Sequence, residues 1–349
     1  IYSMKKKILK ITCIFLLMAV TTFVIFLSCF FQEIRTIKCL KTYDVKDLYS
    51  LNYYADYGFD EFIKVGAKNW DECEEYMKKE IAKGLAERID VLGTNCSSFV
   101  VYNEKGEVLF ARNFDYTYSP VVMTTTNPEN GYAMIGACDM GFLRFAKEGE
   151  IKAHRLNLTN ATVLYCPYFT TDGMNEYGLA MSVLDCGYAK ISTIEDAPTL
   201  TTCSMIRMVL ENAKNVDEAI KLFKSYNISL EKPNHHFMIA DATGRSVVME
   251  YTEDGIVAFE SSVVTNFDLY DSRHRGVGQD RYNIIENTLK EKNGILSEEE
   301  ALDLLASVVV PGKAQYSTLY NLTTGEVHVF THGDNSKVET FELKMIGGE

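Results

Sequence analysis

The stretch that most constrains this chain is a cysteine followed at once by a short hairpin. Two apolar runs, Phe99-Val-Val-Tyr102 and Val108-Leu-Phe110, flank the turn cluster Asn103-Glu-Lys-Gly106. A register symmetric about Glu104–Lys105 places Ser97 opposite Arg112 and Cys96 beside Asn113, with Asp115 just beyond the paired region. The hairpin alone therefore gathers Cys96, Arg112 and Asp115. A cationic neighbour stabilises a thiolate, the nucleophilic form of cysteine. Against this stands a plainer reading: most cysteines on strands are small core hydrophobes, and an Arg-Asn-Phe-Asp stretch is often a surface salt bridge. The rest of the chain has to decide between them.

Of the 349 residues, 47% are hydrophobic and 24% charged, a globular balance with material for one large core or two modest ones. The formal charge is −13, and it is unevenly spread. Residues 1–41 carry seven basic side chains against Glu33, a balance of +6, which leaves −19 on the remainder. An acidic body repels phosphate backbones, so no nucleic-acid partner is expected.

Lys5-Lys6-Lys7 and Lys10 precede Ile11 to Phe31, an uncharged run of 21 residues. That length suits a membrane-spanning helix, and the basic flank predicts an exported body behind a signal or a retained anchor. Residues 1–43 are thus expected to be a targeting segment and linker. The nine cysteines include no CxxC pair, so neither a zinc site nor a thioredoxin-like motif is supported. Seven remain outside the apolar run, an odd number that implies one free thiol in an exported protein.

Residues 44–95 read as a helical pre-segment: Asn69-Trp-Asp-Glu opens with a cap and acids, and Tyr76, Ile81, Leu85 and Ile89 recur at helical spacing. From Cys96 the texture changes to short strands. Those expected are 132–136, 161–166, 179–184, 236–240, 246–250, 259–265, 315–322 and 326–330. Asp172-Gly173 and Tyr177-Gly178 read as turns, and helices are expected near 199–213, 216–226, 279–291 and 298–308. Strand blocks alternating with paired helices predict an α+β domain of layered sheets over residues 96–349.

No HExxH, G-x-S-x-G or phosphate-binding loop is present, and no cofactor or metal is called for. His235 and His236 alternate across a strand, which predicts one core and one surface histidine rather than a metal pair. A cysteine nucleophile needs a base. An N-terminal cysteine supplies its own, because a free α-amino group titrates near 7.7–8.0. That route requires cleavage between Asn95 and Cys96.

Cys96-Ser-Ser, Arg112-Asn-Phe-Asp115, Asp172-Gly-Met-Asn-Glu-Tyr-Gly-Leu179, His236-Phe-Met-Ile-Ala-Asp-Ala-Thr-Gly244 and Val264-Thr-Asn266 resemble the choloylglycine hydrolase superfamily. This group of N-terminal-nucleophile amidases includes bile salt hydrolases, penicillin V acylases, acid ceramidase and N-acylethanolamine acid amidase. The resemblance runs from Cys96 to about Phe330. It implies an αββα sandwich, self-cleavage before Cys96 and hydrolysis of a linear amide bond. Carried over by position, Cys96 is the nucleophile and Arg112 and Asp115 support it. Asn266 supplies an oxyanion-hole N–H, and Arg281 in Gln279-Asp-Arg-Tyr282 is the late arginine. Asp185 stands where members vary among Asn, Tyr and an acid; the bile salt hydrolases carry Asn.

The 95 residues ahead of Cys96 resemble the ceramidase and acylethanolamine amidase branch, in which the pre-segment stays associated as a small subunit. The expectation is an exported, membrane-proximal amidase acting on N-acyl amides with a lipophilic acyl group, such as N-acylethanolamine-like lipids. Bile salt or penicillin V hydrolysis is the runner-up. The competing class is a non-catalytic, membrane-anchored binding protein that keeps the fold and never cleaves.

Overall fold

The computed structural model describes residues 2–81, 95–116, 118–143, 151–191, 193–229, 234–346. Two sheets stack face to face. The larger has nine strands, in the order 41–42, 48–52, 121–126, 134–139, 170–175, 180–185, 235–240, 246–252 and 255–260. The smaller has six, in the order 263–264, 95–102, 108–115, 314–321, 326–331 and 339–342. Pairing within both is antiparallel, except that Leu48–Asn52 runs parallel to Val121–Thr126.

Helices cover both outer faces. Thr202–Asn212 and Val216–Phe223 lie on the nine-stranded sheet, and Gln279–Glu291 and Glu298–Ser307 lie on the six-stranded one. The layer order is therefore αββα. These helices are well started: Thr201, Asn215 and Ser297 each accept a backbone N–H, and Ser297 with Glu300 completes a capping box.

Strand Val108–Asp115 is buried along its whole length, which explains why its apolar residues do not alternate with polar ones. Phe99, Val101, Leu109 and Ala111 pack with Ile285, Leu289, Leu304 and Leu305 beneath the helices. Val100, Val108 and Phe110 on the other face join the larger core between the sheets.

Several expectations need correction. The hairpin pairs one residue out from the symmetric register: Ser98 faces Arg112, Ser97 faces Asn113 and Cys96 faces Phe114. The cause is a three-residue loop rather than a two-residue one. Asn103 closes it by accepting from Gly106 and donating to Glu107, and Gly106 takes a left-handed φ of 79°. Asp115 is inside the ladder, opposite Asn95, not beyond it.

The pre-segment is not purely helical. Leu48–Asn52 is a sheet strand, and the helices are Phe59–Val65 and Trp70–Glu80; Leu85 and Ile89 lie outside the described residues. Thr162–Phe169 is a 3-10 helix where a strand was expected, consistent with Pro167, which has no N–H to offer a ladder. Asp172-Gly173 lies within strand Thr170–Asn175 rather than at a turn. Gly173 is needed for close approach: a Cβ there would sit 2.7 Å from the Ile135 carbonyl oxygen and 2.9 Å from Gly136 Cα.

Tyr2–Cys29 forms one helix of 28 residues. Several of its side chains lie outside the described set, and among the described residues no helix is long and apolar enough to cross a membrane. None of the nine cysteines is in a disulfide.

Candidate active site

Cys96 sits at the start of the strand Asn95–Tyr102, fully buried. The shifted register matters here, because a one-residue slip exchanges the two faces of a strand. As paired, Cys96, Ser98, Arg112 and Phe114 share the face that looks toward the nine-stranded sheet. In the symmetric register Cys96 and Arg112 would have pointed apart.

Arg112 is completely buried and its side chain hydrogen-bonds to Cys96. Nη1 donates to the Asn113 carbonyl at 2.8 Å and Nη2 to the Val183 carbonyl at 2.6 Å, which ties the two sheets together. Nε lies 3.7 Å from Asp172 Oδ1. Burial disfavours the guanidinium charge, but the facing Cys96 and Asp172 outweigh it, and the arginine pKa rises.

Asp172 is the acidic end of this chain of contacts. Oδ1 accepts from Tyr316 at 3.1 Å and from Thr171 at 3.2 Å, and Oδ2 accepts from Thr318 at 3.0 Å and Tyr320 at 2.7 Å. A buried carboxylate is tolerated when its lone pairs are filled in this way. The sequence showed Asp172 as a turn residue and the start of a family motif, not as a site residue; its distinguishing signal is the Tyr316-Ser-Thr318-Leu-Tyr320 alternation of the distant strand 314–321, which aims three hydroxyls at one point.

Two further residues reach Cys96 from elsewhere in the chain. Asn266, at a strand end, accepts the Cys96 backbone N–H on Oδ1 at 2.5 Å and donates from Nδ2 to the Asp185 carbonyl at 2.9 Å. Arg281 is buried in the first turn of helix Gln279–Glu291. It donates from Nη1 to the Cys96 carbonyl at 2.6 Å and to Ser97 Oγ at 2.7 Å, and from Nη2 to Asn266 Oδ1 at 2.8 Å. Ser97 was not among the expected site residues. Gly278, with φ 92°, starts that helix, and a Cβ there would lie 2.5 Å from Arg281 Nη2.

The structure thus brings together Cys96, Arg112, Asn266 and Arg281. Asp185 joins through its backbone carbonyl, while its carboxylate turns to His235 Nε2 at 3.1 Å. Asp115 does not face the thiol. It lies on the opposite face of its strand, across from Asn95, where Arg281 and Arg112 bear on it electrostatically. Burial pushes its carboxyl up to about 6, further than these cations hold it down. Of the two adjacent histidines His236 is in the core, as expected for one of them, while His235 is partly buried with its side chain 15% exposed, not a surface residue.

The arrangement holds both the amide nitrogen and the carbonyl of the cysteine and places a cation at its sulfur. Among the described residues, Cys186, His236 and Glu250 are close enough to share a metal ion.

Residues 96–302 match the family described as linear amide C–N hydrolases, choloylglycine hydrolase family. The bile salt hydrolase/transferase of Clostridium perfringens is 28% identical over 189 residues, 50% of this chain and 54% of that protein. The penicillin V acylase of Pectobacterium atrosepticum is 30% identical over 119 residues, 30% of this chain and 32% of that protein. The chain therefore spans about half, or less, of the length of these curated relatives. In fold it is similar to the crystal structure of a conjugated bile acid hydrolase variant from Clostridium perfringens, with a TM-score of 0.52 at 19% identity over 71% of this chain and 92% of that one. The α+β architecture matches, and the family match begins at Cys96 itself. The chain belongs to the choloylglycine hydrolase family of linear amide C–N hydrolases.

Proposed function

We propose that this chain is a self-processing cysteine amidase that cleaves itself before Cys96 and then hydrolyses N-acyl amides. The observation that carries the reading is the grip on Cys96: Asn266 holds its backbone nitrogen, Arg281 its carbonyl, and Arg112 its thiol. That is the geometry required if the nitrogen of Cys96 is to become a free amine inside the site.

In the processing step, Sγ attacks the Asn95 carbonyl carbon, the Asn95–Cys96 C–N bond breaks, and the departing nitrogen takes the thiol proton. Water then hydrolyses the thioester and leaves Cys96 with a free α-amine. In turnover that amine accepts the thiol proton as Sγ attacks the substrate carbonyl. It returns the proton to the leaving amine, and water releases the acid from the acyl-enzyme. Asn266 Nδ2, now bonded to the Asp185 carbonyl, is the donor placed to turn toward the developing oxyanion. Arg112 favours the thiolate, and Asp172 holds Arg112. Asp115, opposite Asn95, acts from the far side of the scissile bond.

For the substrate, we propose an amide with a lipophilic acyl group, such as an N-acylethanolamine-like lipid. Its support is a pocket of about 490 Å³ near Asn266, where Phe259, Phe267, Leu269 and Tyr282 supply apolar wall beside the polar Glu260, Ser261, His274, Gln279 and Asn283. The proposal includes an exported body held near a membrane by the apolar run after Lys10, and a pre-segment retained as a small subunit after cleavage. A second reading, hydrolysis of bile conjugates or penicillin V, is favoured by the names of the relatives. A panel of N-palmitoylethanolamine, glycocholate and penicillin V, assayed with the cleaved protein by release of the amine, separates them. A fatty amide kcat/KM at least tenfold above the other two supports the first reading, and the reverse order replaces it with the second.

A further inference from the structure

His236 is completely buried in the nine-stranded sheet. Its Nε2 lies 2.6 Å from the Thr265 carbonyl oxygen and its Nδ1 lies 3.1 Å from Glu250 Oε1. A carbonyl oxygen only accepts, and so does an ionised carboxylate. Both contacts are satisfied together only when both ring nitrogens carry protons. Glu250 is itself held in place: Oε1 accepts the Leu269 N–H at 2.8 Å and Oε2 accepts the Tyr270 N–H at 3.1 Å.

The pair therefore grips the chain on both sides of Asn266, at Thr265 before it and at Leu269–Tyr270 after it. Thr265 continues the linkage, because its Oγ1 donates to the carbonyl of Gly278 at 3.0 Å. Gly278 is the residue that starts the Arg281 helix. One buried pair thus fixes the two segments that carry Asn266 and Arg281.

We propose that His236 and Glu250 form a buried imidazolium–carboxylate pair that positions Asn266, and through Gly278 Arg281, against Cys96. The proposal rests on the reading of Cys96 as nucleophile. His236 is a positioning residue, since its action passes through Thr265. Burial works against the charged ring, but Cys186 and Glu250 outweigh it, and the His236 pKa is pushed up to about 10. The groups facing it are Glu250 on strand Ser246–Thr252, Cys186 just past strand Ala180–Asp185, and the Thr265 carbonyl. Cys186 Sγ bears on the ring and also lies 3.2 Å from the Tyr188 carbonyl oxygen. With both ring nitrogens protonated and engaged by Glu250 and Thr265, the ring offers no lone pair to a metal.

The test has two parts. The first uses ¹⁵N-histidine-labelled wild-type protein, with His236 assigned by comparison with His236→Gln. The expected result is protonation of both ring nitrogens up to pH 8; a neutral ring at pH 7, or stoichiometric zinc in the purified protein, overturns the proposal. The second measures cleaved Glu250→Gln on the best amide of the panel. The expectation is a kcat at least tenfold below wild type with KM within threefold. A new ionisation near neutral pH should also appear in its kcat profile, because the ring has lost its carboxylate. If Glu250→Gln does not fold, the labelled wild type still decides. A wild-type chain that never cleaves before Cys96 removes the nucleophile reading whatever the charge of the ring. A wild type that cleaves and turns over, beside a Glu250→Gln variant of equal kcat and unchanged pH profile, overturns the positioning proposal alone.

Discussion

Arg281→Lys is the most informative single change, because it keeps the charge and removes the guanidinium fork. The arginine makes three hydrogen bonds of 2.6–2.8 Å, to the Cys96 carbonyl, Ser97 Oγ and Asn266 Oδ1. The guanidinium fork meets three acceptors at once, whereas a lysine ammonium on its flexible stem cannot match that planar geometry. If lysine keeps one contact, two charged hydrogen bonds are lost, each worth about 1.5–3 kcal/mol. The Ser97 hydroxyl can turn to another partner, so the lower end, about 3 kcal/mol in total, is the better guide. At about 1.36 kcal/mol per tenfold change, self-cleavage should slow roughly 100-fold. The assay is cell-free translation of the full chain with a time course of intact mass, following loss of the precursor. Thermal unfolding in a Cys96→Ala background reports whether the variant is folded. A folded Arg281→Lys chain that cleaves within threefold of wild type would refute the role given to this contact.

Three further outcomes follow from the same geometry. Gly173→Ala should destabilise the protein by about 1–3 kcal/mol in urea unfolding, because the new methyl meets the Ile135 carbonyl and Gly136 and overpacking carries that cost; equal stability would show the strands have room. Asp115 has its folded pKa raised to about 6 against an unfolded value near 3.9, so the native state holds the extra proton between those values, and stability falls as pH rises through that window. In a Cys96→Ala background, Asp115→Asn should therefore gain about 3 kcal/mol relative to its parent between pH 4 and pH 7, and a flat difference would contradict the burial argument. After cleavage the pre-segment should co-elute with the body in gel filtration and part from it only in denaturant. Its Phe62 is fully buried, Tyr57 donates to Glu211 at 2.6 Å and Trp70 stacks on Phe169; separate elution in native buffer would contradict retention.

What could be read from the sequence was local. The hairpin around Gly106, the helix beginning at Gln279 and the family motifs are set by neighbouring residues, and they led to Cys96, Arg112, Asn266 and Arg281. The helix at Gln279–Glu291 matched to the residue. Long-range facts were missed. Leu48–Asn52 looks like part of a helical region until Val121–Thr126, some 70 residues later, offers it a strand partner. Asp172-Gly173 has turn composition, yet the glycine is there so that two strands can come close, and the aspartate to receive hydroxyls from 314–321. The register slip shows how little margin there is: one extra residue in the loop decides whether Arg112 meets Cys96. The alternation of His235 and His236 predicted one core histidine without saying which, and the link of His236 to Asn266 depends on Glu250 and Thr265, which no spacing reveals.

The central claim is that Cys96 becomes an amino terminus by its own chemistry. Intact-mass analysis of wild type beside Cys96→Ala, followed by N-terminal sequencing, tests it most directly. The account predicts two fragments from wild type, one beginning Cys96-Ser-Ser, and a single whole chain from the variant. Two chains that both stay uncleaved across pH, or a Cys96→Ala chain cut at the same bond, would contradict it.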